Sequence, residues 1–339
     1  MTSRSDPRVG GRQCHRPKSC TSEGLKSETD SNCDLKPIKG AAVRGRMGAT
    51  GEATETEGPQ SGAAAQAYDA IASVYDDFTF DHEYEGWTAN LLTALRRQGL
   101  SGNRLLDVGC GTGKSFLPML ARGWSVTACD ISAAMITRAR TKVGDETELH
   151  VADMRKLPTF GEFDLVWTLG DAINYLLDPA EVTDALSGMR ANLAAGGLLL
   201  VGARPLGYYR DYFMKSQQVE RDGRRLTLRA EPTGEIVAGS ICQAHFEVEV
   251  LSGEDSGVES RVHRQRHYPE AEILEHLAEA RLECLEVFGH GADTAQRQPL
   301  DESTHASAIY IARSAQDRRR AETPGRKHPR QDSNLRPAA

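Results

Sequence analysis

The stretch Arg104-Leu105-Leu106-Asp107-Val108-Gly109-Cys110-Gly111-Thr112-Gly113 decides the fold of this 339-residue chain. Leu105, Leu106 and Val108 form a short apolar run, the pattern of a parallel strand covered on both faces. Glycines at alternate positions follow at once. They leave the backbone free to take positive φ and let a ligand approach it closely. Ser115 to Leu120 then reads as the first turns of a helix, with its amino-terminal amides pointing over the loop. A corner that is glycine-rich for packing alone is the plain alternative.

Motif spacing sorts the ligands that such a corner can hold. A phosphate-binding P-loop needs G-x-x-x-x-G-K-[ST]. Gly113-Lys114-Ser115 supplies its end, but the first glycine of that pattern falls on Val108. A dinucleotide fingerprint needs G-x-G-x-x-G, and its third position here is Lys114. What remains is D-x-G-x-G-x-G, running from Asp107 to Gly113. Further on, Trp124-Ser125-Val126-Thr127-Ala128-Cys129-Asp130 is a second apolar run ending in a carboxylate. One strand-helix-strand unit brings the end of the second strand beside the first loop. Asp130 therefore stands where an acidic residue takes ribose hydroxyls. Ser132 is a candidate N-cap for the next helix. Leu149-His150-Val151-Ala152-Asp153-Met154 reads as a third strand end.

These three features resemble the class I S-adenosylmethionine (AdoMet) methyltransferases. D-x-G-x-G-x-G is similar to their motif I, and Asp130-Ile131-Ser132-Ala133-Ala134-Met135 to their D-x-S-x-x-M segment. The resemblance implies an α/β, Rossmann-like fold with a seven-stranded, mostly parallel sheet whose last strand inserts antiparallel. It implies that Asp107 receives the cofactor's ammonium and that Asp153 meets the adenine amino group, with Ile131 and Met154 sandwiching the ring. Tyr68-Asp69-Ala70-Ile71-Ala72-Ser73-Val74-Tyr75-Asp76 resembles the lead-in of small-molecule methyltransferases, a segment that folds over the cofactor and brings Tyr75 near it; core packing is the other reading of Tyr75. The implied cofactor contacts are thus Tyr75, Asp107, Gly109, Cys110, Gly111, Gly113, Asp130, Ile131, Met135, Asp153, Met154, Leu169 and Asn174.

The acceptor side is less explicit. Phe163 to Leu169 reads as the fourth strand, and Gly170-Asp171-Ala172-Ile173-Asn174-Tyr175 leaves its carboxyl end, where ligands bind in open parallel sheets. Asp171 and Tyr175 are candidates to act on the acceptor, and helix capping is the plain reading for Asp171 and Asn174. Leu198-Leu199-Leu200-Val201 is the fifth strand. Relatives often carry an acidic residue just after it, whereas Gly202-Ala203-Arg204 stands here. Arg204 pairs either with an acidic substrate or with a local carboxylate. Strand-like runs near Arg225–Ala230, Ile241–Leu251 and Val258–His267 predict an antiparallel insertion of about three strands, within 205–268, capping the acceptor site. His263 and His267 share one strand face, as candidate bases at the cleft or as surface histidines of an edge strand. The histidines, the last helix from Pro269 and two final strands resemble the second half of aminosugar and glycine-type N-methyltransferases.

Composition narrows the class. Residues 66–314 carry 24 Lys/Arg against 37 Asp/Glu, a poor match for a nucleic-acid backbone. There is no run of apolar residues long enough to span a bilayer and no signal-peptide core. Seven cysteines, two of them inside the cofactor motifs, fit a reducing cytoplasm rather than a disulfide framework. Cys14, His15, Cys20 and Cys33 lack zinc spacing, and no metal is expected. Residues 1–65 and 315–339 are polar and read as disordered extensions, flanking a single methyltransferase domain over 66–314. The reading is a methyltransferase that uses AdoMet and moves a methyl group to nitrogen or oxygen of a small-molecule acceptor, with a homodimer as one arrangement it allows. A non-catalytic AdoMet-binding sensor or scaffold would carry the same cofactor motifs.

Overall fold

In a computed structural model, the described residues are 60–316, apart from 80–81, 232–233, 252–257 and 292. Most of each predicted extension, including the four residues weighed for zinc, lies outside them.

The main sheet is built from β1 (Arg104–Val108), β2 (Ser125–Asp130), β3 (Glu148–Val151), β4 (Phe163–Thr168) and β5 (Leu193–Ala203). A four-stranded antiparallel sheet follows: β6 (Gln217–Arg221), β7 (Arg224–Ala230), β8 (Ile241–Val250) and β9 (Val258–Arg266). The chain then returns through β10 (Leu282–His290), β11 (Gln296–Arg297) and β12 (Ser307–Ser314). The large sheet has the order β11-β10-β12-β5-β4-β1-β2-β3. Strands β1 to β5 run parallel, and β12 lies antiparallel between β5 and β10. That is the predicted seven-stranded arrangement with one addition, the two-residue edge strand β11. The second sheet also has one strand more than predicted, because β6 carries the polar sequence Gln217-Gln218-Val219-Glu220-Arg221, which gives no alternation to read.

The helices are α1 (Gln60–Ile71), α2 (Tyr75–Phe78), α3 (Tyr84–Arg97), α4 (Leu117–Ala121), α5 (Ala133–Val143), α6 (Pro179–Ala191), α7 (Leu206–Tyr208) and α8 (Glu270–Glu279). Strand periodicity divides the apolar runs between two cores. Leu105, Leu165, Leu198, Leu200, Ile309 and Ile311 pack with Leu91 and Leu95 of α3 and Met119 of α4. Their neighbours Leu106, Val166, Leu199, Val201 and Tyr310 pack on the opposite face with Val182 and Leu186 of α6 and Ile273 of α8. This is why the strands read as continuous apolar stretches rather than alternating ones.

A third apolar cluster joins the lead-in to the small sheet. It contains Ile71, Val74, Met135, Tyr209, Phe213, Leu228, Cys242, Ala244 and Phe246. The lead-in is two helices broken at 72–74, not one continuous face. It is pinned by polar contacts as well. Asp69 accepts hydrogen bonds from Ser132 Oγ (2.5 Å) and the Ala134 amide (3.1 Å). Asp76 accepts from Thr112 Oγ1 and pairs with Lys142, both at 2.6 Å.

Candidate active site

The glycine loop turns sharply between β1 and α4. Gly109, Gly111 and Gly113 have φ of 77°, 54° and 87°. A Cβ at Gly109 would stand 3.0 Å from the Cβ of Ala172, so the loop packs directly under the segment that follows β4. A Cβ at Gly111 would lie 3.8 Å from the Tyr75 ring. The lead-in tyrosine thus sits against the loop.

The first three loop amides are already used. The Gly109 and Cys110 amides both donate to the Cys129 carbonyl, at 2.8 and 3.0 Å. The Gly111 amide donates to Asp130 Oδ2 at 2.8 Å. A phosphate cradle needs free amides converging on the anion, so this loop is not one. Lys114 bears this out: its ammonium donates to the Thr79 carbonyl (2.5 Å) and hydroxyl (3.0 Å) and lies over the Tyr84 ring. The predicted helix start also shifts. Ser115 is in a turn, and α4 begins only at Leu117.

Asp130 ends β2, buried, with its two oxygens on the Gly111 and Ser132 amides. Burial raises its pKa, and those amides oppose the shift. Each oxygen keeps a second lone pair for a hydroxyl. Ser132 caps α5, accepting from the Met135 amide at 3.0 Å. Ile131, just after β2, and Met154, in the turn after β3, are half-buried, and Met154 Cε would stand 3.6 Å from a Cβ at Gly109. The loop, the carboxylate at the β2 end and these two apolar side chains fit an adenosine-bearing cofactor.

Several predicted contacts lie elsewhere. The Asp107 carboxylate is enclosed beneath the loop, accepting from Ser115 Oγ at 2.6 Å, and burial pushes its pKa up to about 7. In this position the carboxylate supports the loop from below. Asp153 caps the short turn Met154–Lys156 and holds the Arg155 guanidinium at 2.6 Å, which keeps its pKa low. Met135 is fully buried in the cluster beneath the lead-in, and Cys110 and Leu169 belong to the sheet core. Asn174 is also fully buried. Its amide donates to the Arg266 carbonyl and its oxygen accepts from the Arg204 amide, both at 2.9 Å. That leaves it a clamp between β5 and β9 rather than a ligand contact.

On the acceptor side the structure brings three predicted residues together. Tyr175 Oη is 2.8 Å from His263 Nδ1. Asp171 Oδ2 accepts from the Gln265 amide at 2.7 Å. Tyr68 of the lead-in stacks beside this group, its ring 5.1 Å from Tyr175 and 5.4 Å from His263. His263 is buried against Phe246, and burial pushes its pKa down to about 3. Burial raises both tyrosines well above their ordinary value, with the Asp171 charge adding to it. Around neutral pH this gives a neutral imidazole and two intact hydroxyls beside a carboxylate.

His267 does not join them. It lies past the end of β9, buried, taking the Gly239 amide on Nδ1 (3.3 Å) with Nε2 3.3 Å from Glu302. Strand parity put both histidines on one face, but the strand ends at Arg266 and the ring turns to Glu302. Neither histidine is at the surface, because the lead-in covers one and the Glu302 segment meets the other.

Sequence reasoning missed Tyr68 and Gln265. Tyr68 stood inside the quoted lead-in, at even spacing on a helix that covers the site. Gln265 lay two residues past His263 on the same strand face, and that parity was the available signal.

Among the described residues no group of His, Cys, Asp and Glu is arranged to hold a metal, and no helix is long and apolar enough to cross a membrane.

A family described as a methyltransferase domain matches residues 105–197. A Geobacillus sp. (strain WCH70) protein named as a methyltransferase is 34% identical over 137 residues, 39% of this chain and 56% of its own length. A dTDP-3-amino-3,4,6-trideoxy-alpha-D-glucopyranose N,N-dimethyltransferase of Streptomyces venezuelae is 28% identical over 158 residues, 45% of this chain and 65% of its own. The match thus spans between half and two thirds of either relative. In fold, an S-adenosylmethionine-dependent methyltransferase from Clostridium acetobutylicum aligns with TM-score 0.60 at 20% identity, over 73% of this chain and 98% of its own. These matches place a methyltransferase domain at residues 105–197, and the loop, the β2 carboxylate and the strand order give the chain the fold of the class I S-adenosylmethionine-dependent methyltransferases, to whose bacterial small-molecule members it is similar.

Proposed function

We propose that this chain methylates a nitrogen of a small-molecule acceptor by direct in-line displacement. Oxygen acceptors are the less favoured reading. When bound, the cofactor supplies a methyl group on a cationic sulfur that is already strongly electrophilic. The residues of this chain would then hold it, align the acceptor and keep water out. Asp130 would take the ribose hydroxyls, Ile131 and Met154 the adenine faces, and Gly109, Gly111 and Tyr75 the methionine part. Alignment of this kind contributes roughly 7–11 kcal/mol.

What supports nitrogen is the enclosure of the acceptor-side groups, with Tyr175 hydrogen-bonded to a buried His263 and Tyr68 packed over both. A hydroxyl acceptor needs a base whose pKa lies near the working pH. His263, pushed down to about 3, is too weak a base for that role. Tyr68 and Tyr175 hold their protons far too tightly. A neutral amine attacks without prior deprotonation, and Asp171 can hold an N–H while attack proceeds. The activity in the name of the Streptomyces relative, N,N-dimethylation of an amino sugar, supports the same choice.

The test offers labelled AdoMet to the full chain with panels of amines and of hydroxylated compounds. The expected product carries the label on nitrogen, and Asp171→Asn lowers kcat/KM by about a hundredfold. Label on oxygen alone contradicts the preference. Tight AdoMet binding with no transfer to either panel contradicts catalysis and favours a sensor.

A further inference from the structure

The strongest observation outside the groups used so far is a set of unsatisfied polar atoms around the ends of β5, β10 and β12. Arg204 follows β5. One terminal nitrogen of its guanidinium donates to the Ala306 carbonyl (3.0 Å) and Ser307 Oγ (2.7 Å). Its carbon lies 4.5 Å from the Tyr208 ring centre. Its Nε is enclosed with no hydrogen-bond partner. Among the described residues Arg204 makes no ion pair, although Asp171 and Tyr84 interact with it electrostatically.

Ser307 pairs across the sheet with His290. His290 Nδ1 lies 2.9 Å from the Gly291 carbonyl, so Nδ1 carries the proton and Nε2 presents a bare lone pair. That Nε2 is enclosed and unpartnered, and burial lowers the pKa of the ring. Trp87 of α3 meets the His290 ring edge-on at 5.6 Å, and its indole N–H is also enclosed without a partner. Tyr84, one turn back on α3, lies beside Trp87 at 5.9 Å.

An enclosed polar group left unpaired is unfavourable. Three of them on separate elements around one strand end are hard to account for as accident. Two are donors, one of them on a guanidinium, and the third is an acceptor. We propose that Arg204, Trp87 and His290 form an acceptor subsite for an oxyanion, with Arg204 Nε and Trp87 Nε1 as its donors. His290 Nε2 would take an N–H or O–H of the same molecule. Asp171 interacts electrostatically with Arg204, so an acceptor whose amine meets Asp171 would carry its anionic group towards Arg204. The inference rests on the proposed function, since it describes the acceptor of that site. The oxyanion can be the carboxylate of a small acid or the phosphate of a nucleotide-linked molecule.

The test is direct binding, independent of turnover. The full chain, saturated with S-adenosylhomocysteine, is titrated calorimetrically with acetate, inorganic phosphate and, as control, chloride. Acetate binding supports a carboxylate source and phosphate binding a phosphate source, and binding of both supports the shared chemistry. Arg204→Met is expected to weaken that binding at least about tenfold, and Trp87→Phe to weaken it less, with S-adenosylhomocysteine affinity unchanged in both. Retained cofactor affinity shows that the variants fold. Binding of neither oxyanion to a cofactor-loaded protein overturns the proposal, as does Arg204→Met binding them like the parent. Failure to bind S-adenosylhomocysteine at all overturns the functional reading instead.

Discussion

The two halves of the cleft are built on opposite plans. Apart from Tyr75, the proposed cofactor half comes from one contiguous stretch, residues 105–154, and much of it is backbone geometry: three positive-φ glycines, amides tied to the neighbouring strand, and one carboxylate at a strand end. The acceptor half is assembled from distant positions. Tyr68, Trp87, Asp171 with Tyr175, Arg204, His263 and His290, the residues proposed for it, come from six different segments. Backbone geometry that serves a common cofactor can be written as a short motif. Side-chain geometry that serves one acceptor has to be collected by the fold.

This contrast can be broken by changing one residue in each half. The largest effect is expected at Asp130. Asp130→Ala removes two charge-assisted hydrogen bonds to the loop and to Ser132, each contributing about 1.5–3 kcal/mol, and isothermal titration should show AdoMet affinity falling about a hundredfold or more. Unchanged affinity would mean that the cofactor is not held at the β2 end. Next comes Gly109→Ala. It forces a side chain into positive φ with its Cβ 3.0 Å from Ala172, a strain of about 1–3 kcal/mol that should appear in chemical denaturation and weaken the cofactor as well. The acceptor half should respond differently. Tyr175→Phe removes the hydroxyl 2.8 Å from His263. It should lower kcat by about tenfold while leaving AdoMet affinity alone, a drop of about 1.4 kcal/mol in transition-state stabilisation. A matching loss of AdoMet affinity would blur the division.

The smallest effect in the parent protein is its pH dependence, because two buried groups act in opposite senses. Asp107 is raised by burial to about 7 from 3.8. The folded state therefore holds more protons than the unfolded one in that range, and this group lowers stability as pH rises from about 4 to 7. His263 is lowered to about 3 from 6.5, so the unfolded state holds more protons there and stability rises with pH up to 6.5. Thermal denaturation of Asp107→Asn should uncover the rising slope, and His263→Gln the falling one. Parallel slopes in the two variants would contradict the assignment.

The sequence made the cofactor half legible where backbone chemistry is written in residue type. Glycines at 109, 111 and 113 and a carboxylate at 130 have few other reasons to stand at that spacing. It is less explicit where one residue type serves two roles. Asp107, Asp153 and Asn174 match motif or loop positions, and the fold also uses them as a buried support, a turn cap and an interstrand clamp. Strand β6 was invisible because its residues are polar on both faces. His263 and His267 share parity, but parity does not report where a strand ends. Arg204, Trp87 and His290 carry no shared pattern, since only strand order brings them to one place.

The most direct test is calorimetric titration of the full chain with AdoMet, with NAD and ATP as controls. Micromolar binding of AdoMet and none of the other two is expected, because the Gly109, Cys110 and Gly111 amides are committed to Cys129 and Asp130 and do not turn towards a phosphate. Binding of ATP or NAD with equal affinity, or a folded protein that gives no heat with AdoMet, would contradict it.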